Sequence, residues 1–327
     1  MPDLSVRYLG LQLRNPIVVS SSSLSGTLAG VKKCASAGAG AVVLKSLFEE
    51  QIEHDAVPAD EESEVLMHPE ANEYVEQMGK YLGPSEYLSL IKGAKGETEV
   101  PIIASVNCVS PKWWSDYTEQ IERAGADAVE MNISILPRGF SETSEEIEER
   151  YLRIVREARS HVSIPISIKI GAAFTALPHF VGRLQEAGAD GLVLFNRFYQ
   201  LDVDISELTL SPGYQYSSPN EIYQTLRWIS ILSGDVECDL AGSTGVHNAS
   251  GVAKLLLAGA NAVQVCSVLY EKGVDYLSTM LGELSRWMDS KGFASLSAFH
   301  GDLSQANSGD PEAYERLQYI KALTGLS

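Results

Sequence analysis

Short apolar runs alternate along the chain with segments long enough to form helices. Four of these runs share one pattern, in which an Ala-Gly-Ala triplet ends a helical stretch and the apolar run comes next. The glycine suits the left-handed residue that ends many helices, and an unbroken apolar run suits a strand covered on both faces. The four stretches are residues 36–45, 123–132, 186–196 and 257–266. Each predicts a helix followed by a buried parallel strand.

Four further apolar runs lie between these repeats. They read "PIVVSS" from Pro16, "PIIASVN" from Pro101, "PISIKI" from Pro165 and "VECDLAG" from Val236. Eight strands that alternate with helices over 327 residues predict an α/β fold, a (β/α)8 TIM barrel, with an open doubly wound sheet as the alternative. Because no linker-like change of composition divides the chain, we expect a single domain over residues 1–327.

One connection is longer than the others and spans about residues 46–82. It carries the acidic run "DEESE" at residues 60–64. In barrels of this kind the active site lies at the C-terminal ends of the strands, so a long segment after a strand predicts a lid or substrate loop. The acidic run by itself is typical of a solvated surface.

Composition narrows the classes of partner. The formal net charge is −18, and no cluster of Lys and Arg provides the phosphate contacts that a nucleic-acid binder needs. The N-terminus lacks the pattern of a signal peptide, and no apolar run reaches the ~18 residues of a membrane span. The four cysteines are scattered, without the spacing of a zinc site. We therefore expect a cytoplasmic protein with no metal, membrane or nucleic-acid partner.

Polar side chains stand where five of the predicted strands end. These residues are Lys45, Asn107, Asn132, Lys169 and Asn196. A barrel needs no polar residue there for structural reasons alone, and ligand chemistry in this fold collects at that end. The set predicts a binding site at the C-terminal mouth.

A second candidate site follows the seventh predicted strand. Gly242 and Gly245 allow close approach of the backbone, and the next helix begins with free N–H groups that favour an anion. The loops after the seventh and eighth strands are also the usual phosphate site of such barrels. A phosphorylated cofactor or substrate is the expected ligand.

These motifs together resemble the dihydroorotate dehydrogenases, most closely the soluble class 1 type. The resemblance covers nearly the whole chain and rests on short motifs in the same order. They are "NPIVVSSS" (15–22), "LKS" (44–46), "QMG" (77–79), "MNIS" (131–134), "IKI" (168–170), "FN" (195–196), "GSTGV" (242–246) and "KGFASLSAFHG" (291–301).

The resemblance implies FMN at the barrel mouth. The residues that would line the flavin ring and ribityl chain are Ser21, Lys45, Asn107, Asn132, Lys169 and Asn196. Those near the phosphate would be Gly242, Thr244, Gly245, Cys266 and Ser267. Substrate contacts would come from Met78, Gly79, Asn132 and Asn196. Lysine cations favour negative charge on a reduced flavin, and asparagine side chains both donate and accept hydrogen bonds.

Three positions depart from the family. The residue after Asn-x-Ser is a Cys or Ser in the family and removes a proton from the substrate, whereas this chain has Ile135. Glu76 stands where the substrate loop usually begins with Asn, and Pro137 replaces a further Asn. Isoleucine cannot accept a proton, so the sequence supports flavin binding better than dihydroorotate turnover.

Three hypotheses follow. The first is an FMN-dependent oxidoreductase that moves hydride between dihydroorotate or a related small molecule and FMN, with Ser134, or else Cys108 or Lys45, handling the proton. The second is a flavin-binding protein without such turnover, for example a subunit or sensor. The third is a cofactor-free lyase or aldolase with Lys169 or Lys45 as a Schiff-base amine.

Partners beyond the substrate are implied by the family alone. Class 1 members are commonly homodimers, which predicts a homodimer here. The sequence leaves the electron acceptor open. Because the chain has no cysteine cluster, an iron–sulfur centre would have to belong to a separate subunit.

Overall fold

The computed structural model describes residues 1–56, 83–107, 112–137, 139–197, 201–213, 216–309 and 311. The strands in these ranges are β1 (Val6–Tyr8), β2 (Leu11–Leu13), β3 (Ile17–Val19), β4 (Ala41–Val43), β5 (Leu47–Phe48), β6 (Ile102–Asn107), β7 (Ala128–Asn132), β8 (Ile166–Ile170), β9 (Gly191–Leu194), β10 (Leu201–Asp204), β11 (Thr209–Pro212), β12 (Asp239–Gly242) and β13 (Ala262–Val265).

The helices in the same ranges mostly follow the strands in alternation. They are α1 (Leu28–Ser36), α2 (Glu49–Ala56), α3 (Pro84–Glu97), α4 (Lys112–Arg123), α5 (Ser144–His161), α6 (Leu177–Glu186), α7 (Ile222–Leu232), α8 (Ala249–Ala258), α9 (Ser267–Lys272) and α10 (Tyr276–Lys291). Short 3-10 helices occur at Ser23–Ser25, Pro219–Glu221 and Leu296–Ala298.

Eight parallel strands close into a barrel. Their order around the ring is β3, β4, β6, β7, β8, β9, β12 and β13, and β13 pairs with β3 to complete it. These are the eight strands that the apolar runs predicted, so the (β/α)8 barrel is confirmed. The open sheet is excluded because both of its would-be edges are paired.

The repeated Ala-Gly-Ala triplets end helices as predicted. Their glycines, at positions 38, 125, 188 and 259, all have φ between 98° and 110°. Residues with a Cβ rarely adopt this conformation, so glycine lets the chain turn from helix to strand in a few residues. The repeat in the sequence is therefore the repeat of the fold.

Two β-hairpins were not anticipated. The β1–β2 hairpin lies at the N-terminal ends of the strands, where Tyr8, Leu9 and Leu13 pack against the small and branched residues of the barrel interior. The β10–β11 hairpin is inserted between β9 and α7, with exposed apolar side chains that include Leu201 and Leu210. The first hairpin closes one end of the barrel and leaves the C-terminal mouth for a ligand.

The long connection after β4 is described only at its start. Strand β5 pairs with β6, and α2 follows directly. The predicted substrate residues Met78 and Gly79, together with Glu76, lie outside the described residues. The lid or substrate loop therefore stays a prediction. Among the helices of the described ranges, none is long and apolar enough to cross a membrane.

Candidate functional site at the barrel mouth

The predicted polar residues lie at one end of the barrel. Asn107 and Asn132 are the last residues of β6 and β7, and Lys169 is the next to last residue of β8. Ser21, Lys45 and Asn196 each follow the end of β3, β4 and β9 by two residues. Because all these strands are parallel, their polar C-terminal ends surround the same opening.

Two of the asparagines are in direct contact. The Nδ2 of Asn196 donates to the Oδ1 of Asn132 at 2.9 Å, although the residues are 64 positions apart in the chain. This contact fixes the orientation of both amides. The remaining donor and acceptor groups of the pair can then be presented to a ligand in a defined arrangement.

Lys169 is the centre of a buried polar network. Its side chain nitrogen donates to Ser20 Oγ at 3.0 Å and to Gln264 Oε1 at 2.9 Å, and lies 3.7 Å from Glu130 Oε1. Gln264 in turn donates to the other carboxylate oxygen of Glu130. Lys169 is 6% exposed and Glu130 is 1% exposed. The carboxylate offsets the cost of a buried ammonium, since a buried charge without a partner is strongly unfavourable.

Lys169 was predicted from the sequence, but its three partners were not. Ser20, Glu130 and Gln264 lie in or beside strands that are otherwise apolar. A charged or amide side chain inside a strand buried on both faces is itself a signal, because such a group is retained only when it is paired. The "VEMN" and "VQVC" runs carried that signal.

A chain of serine hydroxyls links β3, β4 and β6. The Oγ of Ser21 is 3.0 Å from that of Ser46, which is 2.8 Å from that of Ser105. Lys45 adjoins this chain in sequence, and partial burial lowers the pKa of its amino group. The structure thus places Ser21 and Lys45 on the same side of the mouth.

The glycine loop after β12 forms a tight turn against the start of α7. Thr244 and Gly245 have φ of 74° and 78°. A Cβ on Gly245 would lie 2.2 Å from the backbone nitrogen of Ile222. Thr244 Oγ1 donates to the carbonyl oxygen of Phe195 at 3.0 Å, so the loop is also tied to the end of β9. The position admits only glycine, because the loop packs directly on the backbone of Glu221 and Ile222.

The predicted phosphate residues Cys266 and Ser267 lie at the end of β13. Burial raises the pKa of the Cys266 thiol, and the positive charge of Lys169 acts in the opposite direction. Ser267 accepts a hydrogen bond from the backbone nitrogen of Ser217 at 3.1 Å. Ser217 was not predicted, since it lies 50 residues away in a loop without a recognisable motif.

Ile135, which the resemblance places where the family has a proton acceptor, is buried. It is 9% exposed, and its backbone nitrogen donates to Tyr151 Oη at 3.1 Å. Its side chain borders a largely apolar cavity of about 240 Å³ that Phe174 and Ile147 also line. Ser134, one residue earlier, is half-buried. Of the proton-handling candidates, Cys108 lies outside the described residues.

The described residues were also compared with the ligand sets that hold metal ions in proteins. Across the ranges that the structure describes, no group of three or more His, Cys, Asp or Glu side chains is arranged to hold a metal ion.

The fold and this mouth define an α/β barrel protein with polar strand ends gathered at one opening. The family model for dihydroorotate dehydrogenase matches residues 3–288. The chain therefore belongs to the dihydroorotate dehydrogenase family, as the motifs indicated.

Individual relatives are distant but cover the chain well. The catalytic subunit of dihydroorotate dehydrogenase B (NAD(+)) from Methanocella arvoryzae is 28% identical over 86% of this chain and 92% of its own length. The protein of the same name from Methanothermobacter thermautotrophicus is 25% identical, over 91% of this chain and 97% of its own length. The Pyrococcus furiosus protein of that name is 24% identical, over 91% and 98%.

Proposed function

We propose that this protein is an FMN-dependent oxidoreductase of the dihydroorotate dehydrogenase type, acting on the CH–CH group of dihydroorotate or a related small molecule. The observation that carries the proposal is the buried Lys169 cation at the same mouth as the joined amides of Asn132 and Asn196. Family membership and the names of the relatives support the reaction type.

The residues present fit a phosphorylated flavin. An ammonium has three N–H donors, and Ser20 and Gln264 account for two of those of Lys169. The third would be shared between Glu130 Oε1, which is 3.7 Å away and accepts no other hydrogen bond, and an acceptor on the ligand. In the loop after β12, Thr244 and Gly245 both have the left-handed conformation that occurs in backbone turns that bind anions.

The roles of the side chains follow from this fit. Lys169 would favour negative charge on the ring, and Asn132 and Asn196 would orient ring or substrate amides. The loop that contains Gly242, Thr244 and Gly245, together with Cys266 and Ser267, would hold the phosphate. Ser21, Lys45 and Asn107 would line the ring and ribityl chain. When bound, FMN would supply the acceptor for the two electrons of the substrate.

The proton is the step for which this chain needs a substitute. A Cys or Ser base is replaced by Ile135, so the neighbouring Ser134 is our choice for the group that removes or relays the proton. A half-buried hydroxyl one residue away can reach a substrate that contacts Asn132, though it is a weaker base than a thiolate.

The buried Ile135 also supports a second candidate function, a flavin-binding protein without dihydroorotate turnover. This candidate predicts a yellow protein that candidate substrates do not reduce. The Schiff-base lyase is disfavoured because the Lys169 amine is held in an ion pair with a buried carboxylate, whereas a Schiff-base amine must act as a free nucleophile. That hypothesis predicts a colourless protein that borohydride traps with a carbonyl substrate.

Partners are proposed from the relatives. The names of these relatives include a catalytic subunit and NAD(+), which supports an assembly in which a separate subunit passes electrons to NAD(+). The homodimer and the cytoplasmic location stay predictions.

The test is the cofactor content of the purified protein. We expect a visible flavin spectrum, one flavin per chain after incubation with FMN, and release on heating of a compound that co-elutes with FMN. A folded protein that takes up no flavin at saturating FMN would overturn the proposal.

A further inference from the structure

The cavity that Ile135 borders, hereafter the Ile135 cavity, lies at the edge of the barrel mouth and has no role in the proposed function so far. It is lined by the loop after β7, the start of α5 and the loop after β8. Ile135 follows Asn132 by three residues, and Gly171, which also lines the cavity, follows Lys169 by two. Asn132 and Lys169 are register partners in the sheet. Because three residues span at most about 11 Å, the cavity begins close to these two predicted ligand groups.

The Ile135 cavity has the form of a cup. Among its lining residues, Ile135 and Tyr151 are buried, Ile147 and Phe174 are half-buried, and Ala173 is exposed. The exposed residue marks the side that is open to solvent. A ligand can therefore enter without any opening of the fold.

One wall of the cup is aromatic and held in place. The ring of Phe174 stacks on that of Phe180 with 4.4 Å between the centroids, and meets the ring of Tyr151 edge-on at 5.6 Å. Tyr151 Oη in turn accepts the backbone N–H of Ile135 at 3.1 Å. A ligand would meet a wall that is already ordered, which lowers the entropic cost of binding.

The volume fits a group of the size of an aromatic ring. The Ile135 cavity has about 240 Å³. An apolar cavity of about 150 Å³ is enough to bind benzene in a protein interior. A phenyl group or a similar branched aliphatic group therefore has room in it.

The charges around the cavity favour an uncharged ligand. No lysine or arginine occurs among the described residues that line it, whereas Glu148 contributes a carboxylate. That carboxylate is already paired, with Arg183 Nη1 at 3.0 Å from Oε2. An anionic group that entered would lose its hydration without gaining a free cation. An apolar group loses nothing comparable.

We propose that the Ile135 cavity binds an uncharged, ring-sized apolar group. The group is carried either by the substrate beside the flavin or by a separate small molecule. The first source rests on the proposed function, since it takes the substrate to lie at Asn132. In that case Ile135 determines specificity, as the wall of an apolar pocket at the position where the resemblance places a proton acceptor.

The expected gain in affinity follows from the apolar surface that is removed from water. Each CH₂ group that moves from water into an apolar site tightens binding about fourfold. A phenyl group buries the equivalent of several such groups, although its outer edge stays at the open side. We therefore expect at least about a tenfold gain from a phenyl substituent.

The first experiment titrates the full-length, FMN-loaded protein with uracil and with 6-phenyluracil, and follows the visible flavin spectrum. Both rings are already unsaturated, so the oxidised flavin protein binds them without turnover. The dissociation constant of 6-phenyluracil should be at least about tenfold lower than that of uracil. 6-(4-Carboxyphenyl)uracil has the same ring with a negative charge, and it should show no such gain.

Three variants test whether the gain arises in the Ile135 cavity. Ala173→Phe and Ile147→Trp fill it from the loop after β8 and from α5, and both should remove the gain. Ala176→Phe is the matched control, because Ala176 is also exposed on the same loop and does not line the cavity. It should keep the full gain.

The second experiment adds toluene to the flavin-free protein and measures the melting temperature. A ligand that binds the folded state raises this temperature in a saturable way. The rise should occur in the unchanged protein and in Ala176→Phe, and should be absent from Ala173→Phe and Ile147→Trp. Because it needs no flavin, this arm tests the cavity even if FMN does not bind.

The outcomes separate the two sources and the two proposals. A phenyl gain that the filling variants remove supports the substrate as the source. A toluene effect that they remove, without any phenyl gain, supports a separate molecule. If neither effect occurs, or if both persist in the two filling variants, the inference is overturned while FMN binding leaves the proposed function intact. Failure to bind FMN overturns the proposed function, and the toluene arm then decides the inference alone.

Discussion

Replacing Ile135 by serine should restore a proton acceptor at the position that the family uses. The backbone of residue 135 is held by the hydrogen bond to Tyr151 Oη at 3.1 Å, so a new side chain would start from the same Cα position. A positioned general base contributes about 100- to 10,000-fold to a proton-transfer step. We therefore expect Ile135→Ser to speed anaerobic reduction of the flavin by dihydroorotate by at least about 100-fold.

Ile135→Ser should also lower the free energy of unfolding, and the surroundings of Ile135 indicate by how much. Truncating a buried isoleucine costs about 2–5 kcal/mol. Ile135 borders a cavity of about 240 Å³, large enough for water to reach the new hydroxyl, so we expect the lower end, about 2 kcal/mol.

The assay is stopped-flow mixing of the FMN-loaded protein with dihydroorotate without oxygen, with urea unfolding of each variant alongside. Ile135→Val is the matched control, because it makes a similar but smaller change in packing and adds no proton acceptor. If both variants retain FMN and reduce it at the same rate, the argument that Ile135 marks the missing base is refuted.

Three further outcomes follow from the site. Gly245→Ala should unfold at a clearly lower temperature than Gly96→Ala. A Cβ at 245 would lie 2.2 Å from the backbone nitrogen of Ile222, whereas a Cβ at 96 meets no atom within 4 Å. Equal melting temperatures would contradict the close packing of the loop. Ser134→Ala should leave FMN bound and slow reduction by substrate by about 100-fold or more, and unchanged stopped-flow rates would remove Ser134 from the mechanism. Lys169→Met should lower the free energy of unfolding by about 3–5 kcal/mol, because it leaves a buried carboxylate without its cation. The double variant Lys169→Met with Glu130→Gln should recover most of that loss. If urea denaturation shows no recovery, the two charges are not coupled.

The barrel itself was readable from the sequence because its signals are local. Each barrel strand is a mostly apolar run, and each repeat glycine lies at a helix end with φ near 100°. The β10–β11 hairpin was missed because its strands are exposed, with every residue of β10 outside the core, so burial left no pattern along the chain.

The site was predictable at the strand ends but not in its contacts. Fold class alone places Asn132 and Lys169 at the mouth, since parallel strands end together. Which groups touch depends on pairs far apart in sequence, such as Gln264 and Glu130, which are 134 positions apart. Ser217 and His247 come from two loops 30 positions apart, and only the folded backbone brings them together.

The most direct measurement is an anaerobic visible spectrum of the FMN-loaded protein before and after dihydroorotate is added. The account predicts a flavin band that bleaches slowly, since the usual base is replaced by Ile135. A band that is present and never bleaches would favour the flavin-binding protein without this turnover. A folded protein that shows no flavin band after incubation with saturating FMN and removal of the free flavin would contradict this assignment, because the barrel mouth would then not be a flavin site.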